Sequence, residues 1–224
     1  MTNESIQLTN LDPRIVKFQQ TILNKYATAN QTALKGQIVI TGSSTVEIFP
    51  IEALQTKLQL KHKIYNRGIR AMTTADELAH MDTLIFELQP SILFLQIGAN
   101  DMSFNLPEET MMHNYDQIMT LIANKLPNTQ VYIMAYYPIN TVADFNPTDD
   151  PHPNVAQHRT NAMTMAANIK VKALATKHHF DFIDLNAGLT DTAGNLKKTL
   201  TFDGLHPLPA GYDIIFNNML PYLK

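Results

Sequence analysis

Five short runs recur along the chain: QIVITG at 37–42, KIYNRG at 63–68, SILFLQIG at 91–98, QVYIMAYY at 130–137 and FDFIDL at 180–185. A polar or glycine turn and a stretch of helical spacing follow each one. Stretches such as ILFLQI and VYIMAY are apolar on both faces, as strands are when helices cover a parallel sheet on either side. The alternation predicts a three-layer α/β/α fold built on a five-stranded parallel sheet. An opening helix is expected over 12–33, where Asp12-Pro13 offers a cap and a first turn and Ile15, Phe18, Ile22, Tyr26 and Ala29 fall at helical intervals. Further helices are expected over 75–88, with Thr74 as cap and Glu77 in the reciprocal position, over 108–125, over 154–178, and after Pro209. The four prolines within 138–153 disfavour regular structure and suggest a substrate lip.

A chain of 224 residues fits one domain, able to bury roughly 70% of its unfolded surface. We read residues 1–224 as that domain, with a helical segment at 1–34 packed on it, covering the sheet or meeting a second subunit in a homodimer. The 17 basic and 20 acidic side chains nearly balance and 45% of residues are hydrophobic, so neither disorder nor a nucleic-acid partner is indicated. With no cysteine, disulfides, thiolate nucleophiles and thiolate metal sites are excluded. The first residues carry no basic segment followed by an apolar one, and no apolar run approaches the ~18 residues of a membrane span. A cytoplasmic protein without membrane insertion is therefore expected. The sequons at Asn3 and Asn30 carry no weight without a secretion signal.

In an open parallel sheet, ligands gather outside the carboxyl ends of the strands near the switch in strand order. Ser44 lies just past the first strand, Asn66-Arg67-Gly68 ends the second, and Gly98-Ala99-Asn100-Asp101 ends the third. His206 precedes the last helix, with Asp203 three residues before it, so one loop can hold both and let the carboxylate fix the imidazole tautomer. That is the inventory of a serine esterase: Ser44 as nucleophile, His206 as general base and Asp203 as its orienting acid. The backbone N–H groups of Ser44 and Gly68 and the Asn100 side-chain amide are the candidate oxyanion donors.

These segments resemble the SGNH hydrolase superfamily, the GDSL esterases and lipases, named for a Ser, Gly, Asn and His in four blocks. The blocks correspond in order to Gly42-Ser43-Ser44, to Gly68 in NRGIRAMTT, to Gly98-Ala99-Asn100-Asp101, and to Asp203-Gly204-Leu205-His206-Pro207. Ser43 stands where the eponymous aspartate would be and Thr45 where the leucine would be. Gly-Ser-Ser is similar to the variant of the branch that includes the α1 subunits of platelet-activating-factor acetylhydrolase and bacterial acetyl esterases. The resemblance implies a flavodoxin-like fold, attack by Ser44 rather than Ser43, Asp203 rather than Asp101 as the acid, and no cofactor. No Gly-x-Ser-x-Gly elbow is present, which disfavours the α/β-hydrolase fold.

The function expected is hydrolysis of a small ester, short-acyl or acetyl, through an acyl-enzyme on Ser44. A thioesterase or lysophospholipase would use the same site. A non-catalytic flavodoxin-like binding module is the alternative from another class, though the chain lacks both Gly-x-x-x-x-Gly-Lys and Gly-x-Gly-x-x-Gly. Phe104, Leu106, Tyr136, Tyr137, Ile139 and Phe145 are candidate pocket liners. Asp101 is read as bonding loop backbone, Arg67 and Arg70 as pairing with acidic neighbours or meeting an anionic substrate, and His178 and His179 as helix-terminal residues. Asp149, Asp150 and His152 share a proline-rich loop without a second ligand cluster, so no metal is expected.

Overall fold

The computed structural model of the protein describes residues 11–145 and 158–224. Asp12 accepts a hydrogen bond from the Arg14 N–H and Pro13 is the first helical residue, so the chain enters α1 (Pro13–Asn30) where the Asp-Pro pair predicts. It continues through β1 (Ile38–Gly42), α2 (Ser44–Glu47), α3 (Ile51–Leu58), β2 (Ile64–Gly68), α4 (Thr74–Leu84) and β3 (Ile92–Gln96). There follow α5 (Ala99–Ser103), α6 (Glu108–Lys125), β4 (Gln130–Met134), α7 (Asn161–Lys177), β5 (Asp181–Ile183) and α8 (Pro209–Met219). Among the described residues no helix is long and apolar enough to cross a membrane.

The strands form one parallel sheet in the order β2-β1-β3-β4-β5, the flavodoxin-like arrangement. The chain leaves β1 toward one edge of the sheet and β3 toward the other, so their carboxyl ends flank the switch in strand order. Gly42 pairs with Gly68 on one side and Gln96 on the other. Side chains alternate across the sheet. Val39, Leu93, Leu95, Val131 and Ile133 join the core shared with α4, α6 and α7, while Ile38, Ile40, Ile92, Phe94 and Met134 join the one shared with α3 and α8.

Two helical expectations are corrected. The capping box of α4 is formed by Thr73 and Asp76, one residue ahead of the expected Thr74 and Glu77. Thr74 is unavailable because its N–H and hydroxyl both donate to Asp101. The helix also stops at Leu84 rather than 88, and a short 3-10 turn over Phe86–Leu88 leads into Gln89, left-handed ahead of Pro90. The second correction concerns the helix expected over 154–178. Thr160 is extended and caps the Met163 N–H, so α7 begins at Asn161; residues 154–157, and the half of the expected lip at 146–153, lie outside the described residues.

The outer edge of β2 is covered by side chains. The Gln55 amide accepts from the Ile64 N–H and donates to the Ile64 carbonyl. Asn66 Oδ1 accepts from the Gly68 N–H, the Arg67 guanidinium donates to the Asn66 carbonyl, and the Tyr26 hydroxyl donates to the Gly68 carbonyl.

Glu77 is buried at 0% exposure between α4 and β1, where its Oε1 accepts from the Thr41 hydroxyl and its Oε2 has no partner among the described residues. Burial pushes its carboxyl up to about 8, against the Thr41 hydrogen bond and with help from Asp76. The folded protein therefore holds a proton there that the unfolded chain releases above the ordinary glutamate range. Stability is expected to fall as pH rises from about 5 toward 8, by at most about 1.4 kcal/mol per pH unit for this group. Glu77→Gln should flatten that slope in urea denaturation at pH 5, 6.5 and 8. An unchanged slope would show that Glu77 is ionised in the folded state.

Candidate active site

Ser44 opens α2 immediately past β1, and its Oγ lies 2.8 Å from His206 Nε2 across 162 positions of sequence. On the other side of the imidazole, Nδ1 lies 2.5 Å from Asp203 Oδ2. The two contacts fit one tautomer: Nδ1–H donates to the carboxylate, and Nε2 accepts from the serine hydroxyl. Asp203 is itself tied down, its Oδ1 accepting from the Leu205 and His206 N–H groups at 2.8 Å each. The Thr201 hydroxyl donates to the His206 carbonyl at 2.8 Å and accepts from the Gly204 N–H at 2.9 Å, which closes the loop on itself. Gly204 has φ +87°, and a Cβ there would stand 2.1 Å from the Asn140 carbonyl oxygen. Only glycine lets the loop dock so closely on the segment after β4.

Burial works to raise the Asp203 carboxyl, but His206 and the two backbone donors outweigh it and hold the group below the ordinary aspartate range. The buried Arg159 contributes to the same field: desolvation draws its guanidinium down to about 10, opposed by Tyr136 and Asp203. The imidazole ring is stacked on Phe202, centroids 5.7 Å apart and planes at 12°. Phe202 remains 46% exposed beside the site, unusual for so large an apolar ring. Neither Arg159 nor Phe202 is legible as a site residue in the sequence, because no motif marks them.

The serine side is braced with equal care. The Val46 and Glu47 N–H groups donate to the Ser43 carbonyl, and the buried Tyr212 hydroxyl of α8 donates to the Thr45 carbonyl at 2.7 Å. The Ser44 N–H has no acceptor among the described residues. Asn100 spends one amide hydrogen on the Met72 carbonyl at 2.8 Å, which leaves the other and ties the turn after β3 to the turn after β2.

Gly68 departs from its expected place. Its N–H donates to Asn66 Oδ1 at 2.8 Å, and a Cβ would fall 2.2 Å from the Glu47 nitrogen. Glycine is therefore required here so that α2 can press against β2. The neighbouring N–H groups are also taken: Ile69 by the Gly42 carbonyl, Arg70 by Glu47, Met72 by the Ile69 carbonyl, Thr73 by Asp76 and Thr74 by Asp101. From Gly68 to Thr74, only the Ala71 N–H lacks an acceptor among the described residues. Ala71 sits at φ +60°, a left-handed conformation costly for a residue with a Cβ.

Other candidates separate. Phe104 and Leu106 are half-buried at the end of α5, and the half-buried Phe145 lies against Gly204. Tyr137, at 3% exposure, packs into the core with Ile183, Leu185 and Phe216 rather than lining the crevice. Tyr136 and Ile139 are buried as well, and the Tyr136 hydroxyl donates to the Ile97 carbonyl beneath Gly98. Asp101 holds the start of α4, as expected. Arg70 pairs with Glu47, whereas Arg67 donates to Asn30 and stacks between Tyr26 and Tyr65. His178 pairs with Asp116. Asp149, Asp150 and His152 lie outside the described residues.

The profile of the GDSL-like Lipase/Acylhydrolase family matches residues 49–214. The chain belongs to this family. It is a carboxylic ester hydrolase. The match includes Asp203 and His206 and begins after Ser44. Among solved structures, the fold is similar to a Streptococcus pneumonia protein provisionally described as a platelet activating factor, with TM-score 0.82 and 29% identity over 94% of this chain and 95% of that one. It is also similar to a Bacteroides fragilis protein provisionally described as an acylhydrolase, with TM-score 0.73 and 21% identity over 90% and 95%. An acetylxylan esterase from Geobacillus stearothermophilus shares the fold, with TM-score 0.61 and 18% identity over 86% and 95%. No curated protein sequence matches the chain.

Proposed function

We propose that this GDSL-family hydrolase cleaves short-acyl, in particular acetyl, esters of a small alcohol through an acyl-enzyme on Ser44, with residues 1–224 acting as one domain. The observation that carries the reading is the continuous chain of contacts from Ser44 Oγ through His206 to Asp203. Ser44 Oγ attacks the ester carbonyl while Nε2 takes its proton, and the Asp203 carboxylate stabilises the imidazolium. The oxyanion of the tetrahedral intermediate accepts from the Ser44 N–H, the Ala71 N–H and the remaining Asn100 amide hydrogen. As the C–O bond to the alcohol breaks, Nε2–H protonates the leaving oxygen. Water then attacks acyl-Ser44 with His206 again as base, releasing the acid and restoring the serine.

A short acyl group is supported by the tight packing beside Gly98, in the turn that carries Asn100. There Tyr136 and Met111 are buried and packed close, and Tyr137 belongs to the core. Hydrolysis of p-nitrophenyl esters from acetate to palmitate tests this. The expected kcat/KM is highest at acetate to butyrate. A maximum at palmitate would overturn the short-acyl assignment, and no hydrolysis across the series would overturn the whole reading.

A further inference from the structure

We propose that Gln19 of α1 is a positioning residue for the reaction: it aims the Ala71 N–H into the crevice by holding the carbonyl of the same peptide group. This rests on the reading of Ala71 as an oxyanion donor. The Arg70 carbonyl and the Ala71 N–H belong to one peptide, and in a trans peptide the two point in opposite directions. Gln19 Nε2 donates to the Arg70 carbonyl at 3.0 Å from a side chain only 8% exposed. Fixing that oxygen toward α1 fixes the N–H away from α1, and the next residue, Met72, accepts from the Asn100 amide.

The turn needs such a hold. Ala71 at φ +60° is in a region that alanine disfavours, and rotating the 70–71 peptide would relieve it at the cost of the donor's direction. Neighbouring contacts locate the turn without fixing that rotation. The Tyr26 hydroxyl donates to the Gly68 carbonyl at 2.8 Å, the Arg70 guanidinium lies over the Phe18 ring at 4.4 Å, and its Nε and Nη2 donate to Glu47. Among the described residues, only Gln19 hydrogen-bonds to the peptide that carries the Ala71 N–H. Gln19 also lies outside the 49–214 family match, so this hold comes from a part of the chain that the family profile does not include.

The test compares Gln19→Leu and the shorter Gln19→Asn with wild type and with Gln20→Leu; the exposed Gln20 amide donates to Asn24 on the solvent side of α1. On p-nitrophenyl acetate, both Gln19 variants are expected to lose about tenfold or more in kcat with KM unchanged. That is part of the ~10²–10³ typical of a lost oxyanion donor. Affinity for a phenylboronic acid, which forms a tetrahedral adduct on an active serine, should fall by the same factor, while inhibition by acetate stays as in wild type. Adding Ala71→Gly to Gln19→Leu, which removes the conformational penalty at 71, should restore part of kcat. Thermal melting confirms folding, and Gln19→Asn answers if Gln19→Leu does not fold. The inference is overturned if a folded Gln19 variant keeps kcat within about twofold of Gln20→Leu, or if kcat, boronate and acetate affinities all fall together. A wild type inactive on all esters, or activity surviving Ser44→Ala, would instead overturn the underlying esterase mechanism.

Discussion

Ser44→Ala is expected to lower kcat for ester hydrolysis by roughly 10⁴–10⁶-fold, the scale at which a serine nucleophile's loss is felt. The hydroxyl removed is the one 2.8 Å from His206 Nε2, the group that the proposed mechanism acylates. Ser43→Ala is the control. Ser43 precedes α2 in an extended conformation and makes no side-chain capping bond; its structural contribution is the carbonyl that accepts from Val46 and Glu47, which alanine retains. Its kcat should stay within a few-fold of wild type, and a fluorophosphonate probe should label wild type and Ser43→Ala but not Ser44→Ala. Labelling of Ser44→Ala would move the nucleophile elsewhere.

Asp203→Asn should cost about 10⁴ in kcat while leaving the fold intact. The reason is in the two oxygens' separate duties. Oδ1 accepts from the Leu205 and His206 N–H groups and Oδ2 faces Nδ1. An asparagine keeps its oxygen on the backbone pair, so its NH₂ faces Nδ1 and can only donate. Nδ1 must then be the acceptor, the proton moves to Nε2, and the imidazole can no longer receive the proton of Ser44. Combined with Ser44→Ala, the substitution should cost little more than Ser44→Ala alone, because the two act as one unit. Additive losses in the double variant would contradict a shared mechanism.

What could be read beforehand divides along physical lines. Strands apolar on both faces predicted the sheet, and its order put Ser44 and Asn100 at the switch point. Asp203 and His206 were legible because three residues of separation lets one loop hold both. Which N–H in NRGIRAMTT is free was not legible, since residue type does not reveal hydrogen-bond partners. Glycine at 68 signals a close approach, and the approach proves to be by α2. Ala71, left-handed in this segment, carries no such signal because alanine is rarely found there. The short α2 and α5 are below the length at which periodicity speaks. The hold of Gln19 on Arg70 spans 51 positions and has no sequence signature at all.

The covered edge of β2 has a consequence for the molecule's life among other chains. A foreign strand can extend a sheet only by exchanging hydrogen bonds with an open row of N–H and C=O groups. Here that row is met by Gln55, Asn66, Arg67 and Tyr26, and the opposite edge is β5, only three residues long. A chain seeking to polymerise on this sheet would have to expel four side chains at one end and would find almost no template at the other.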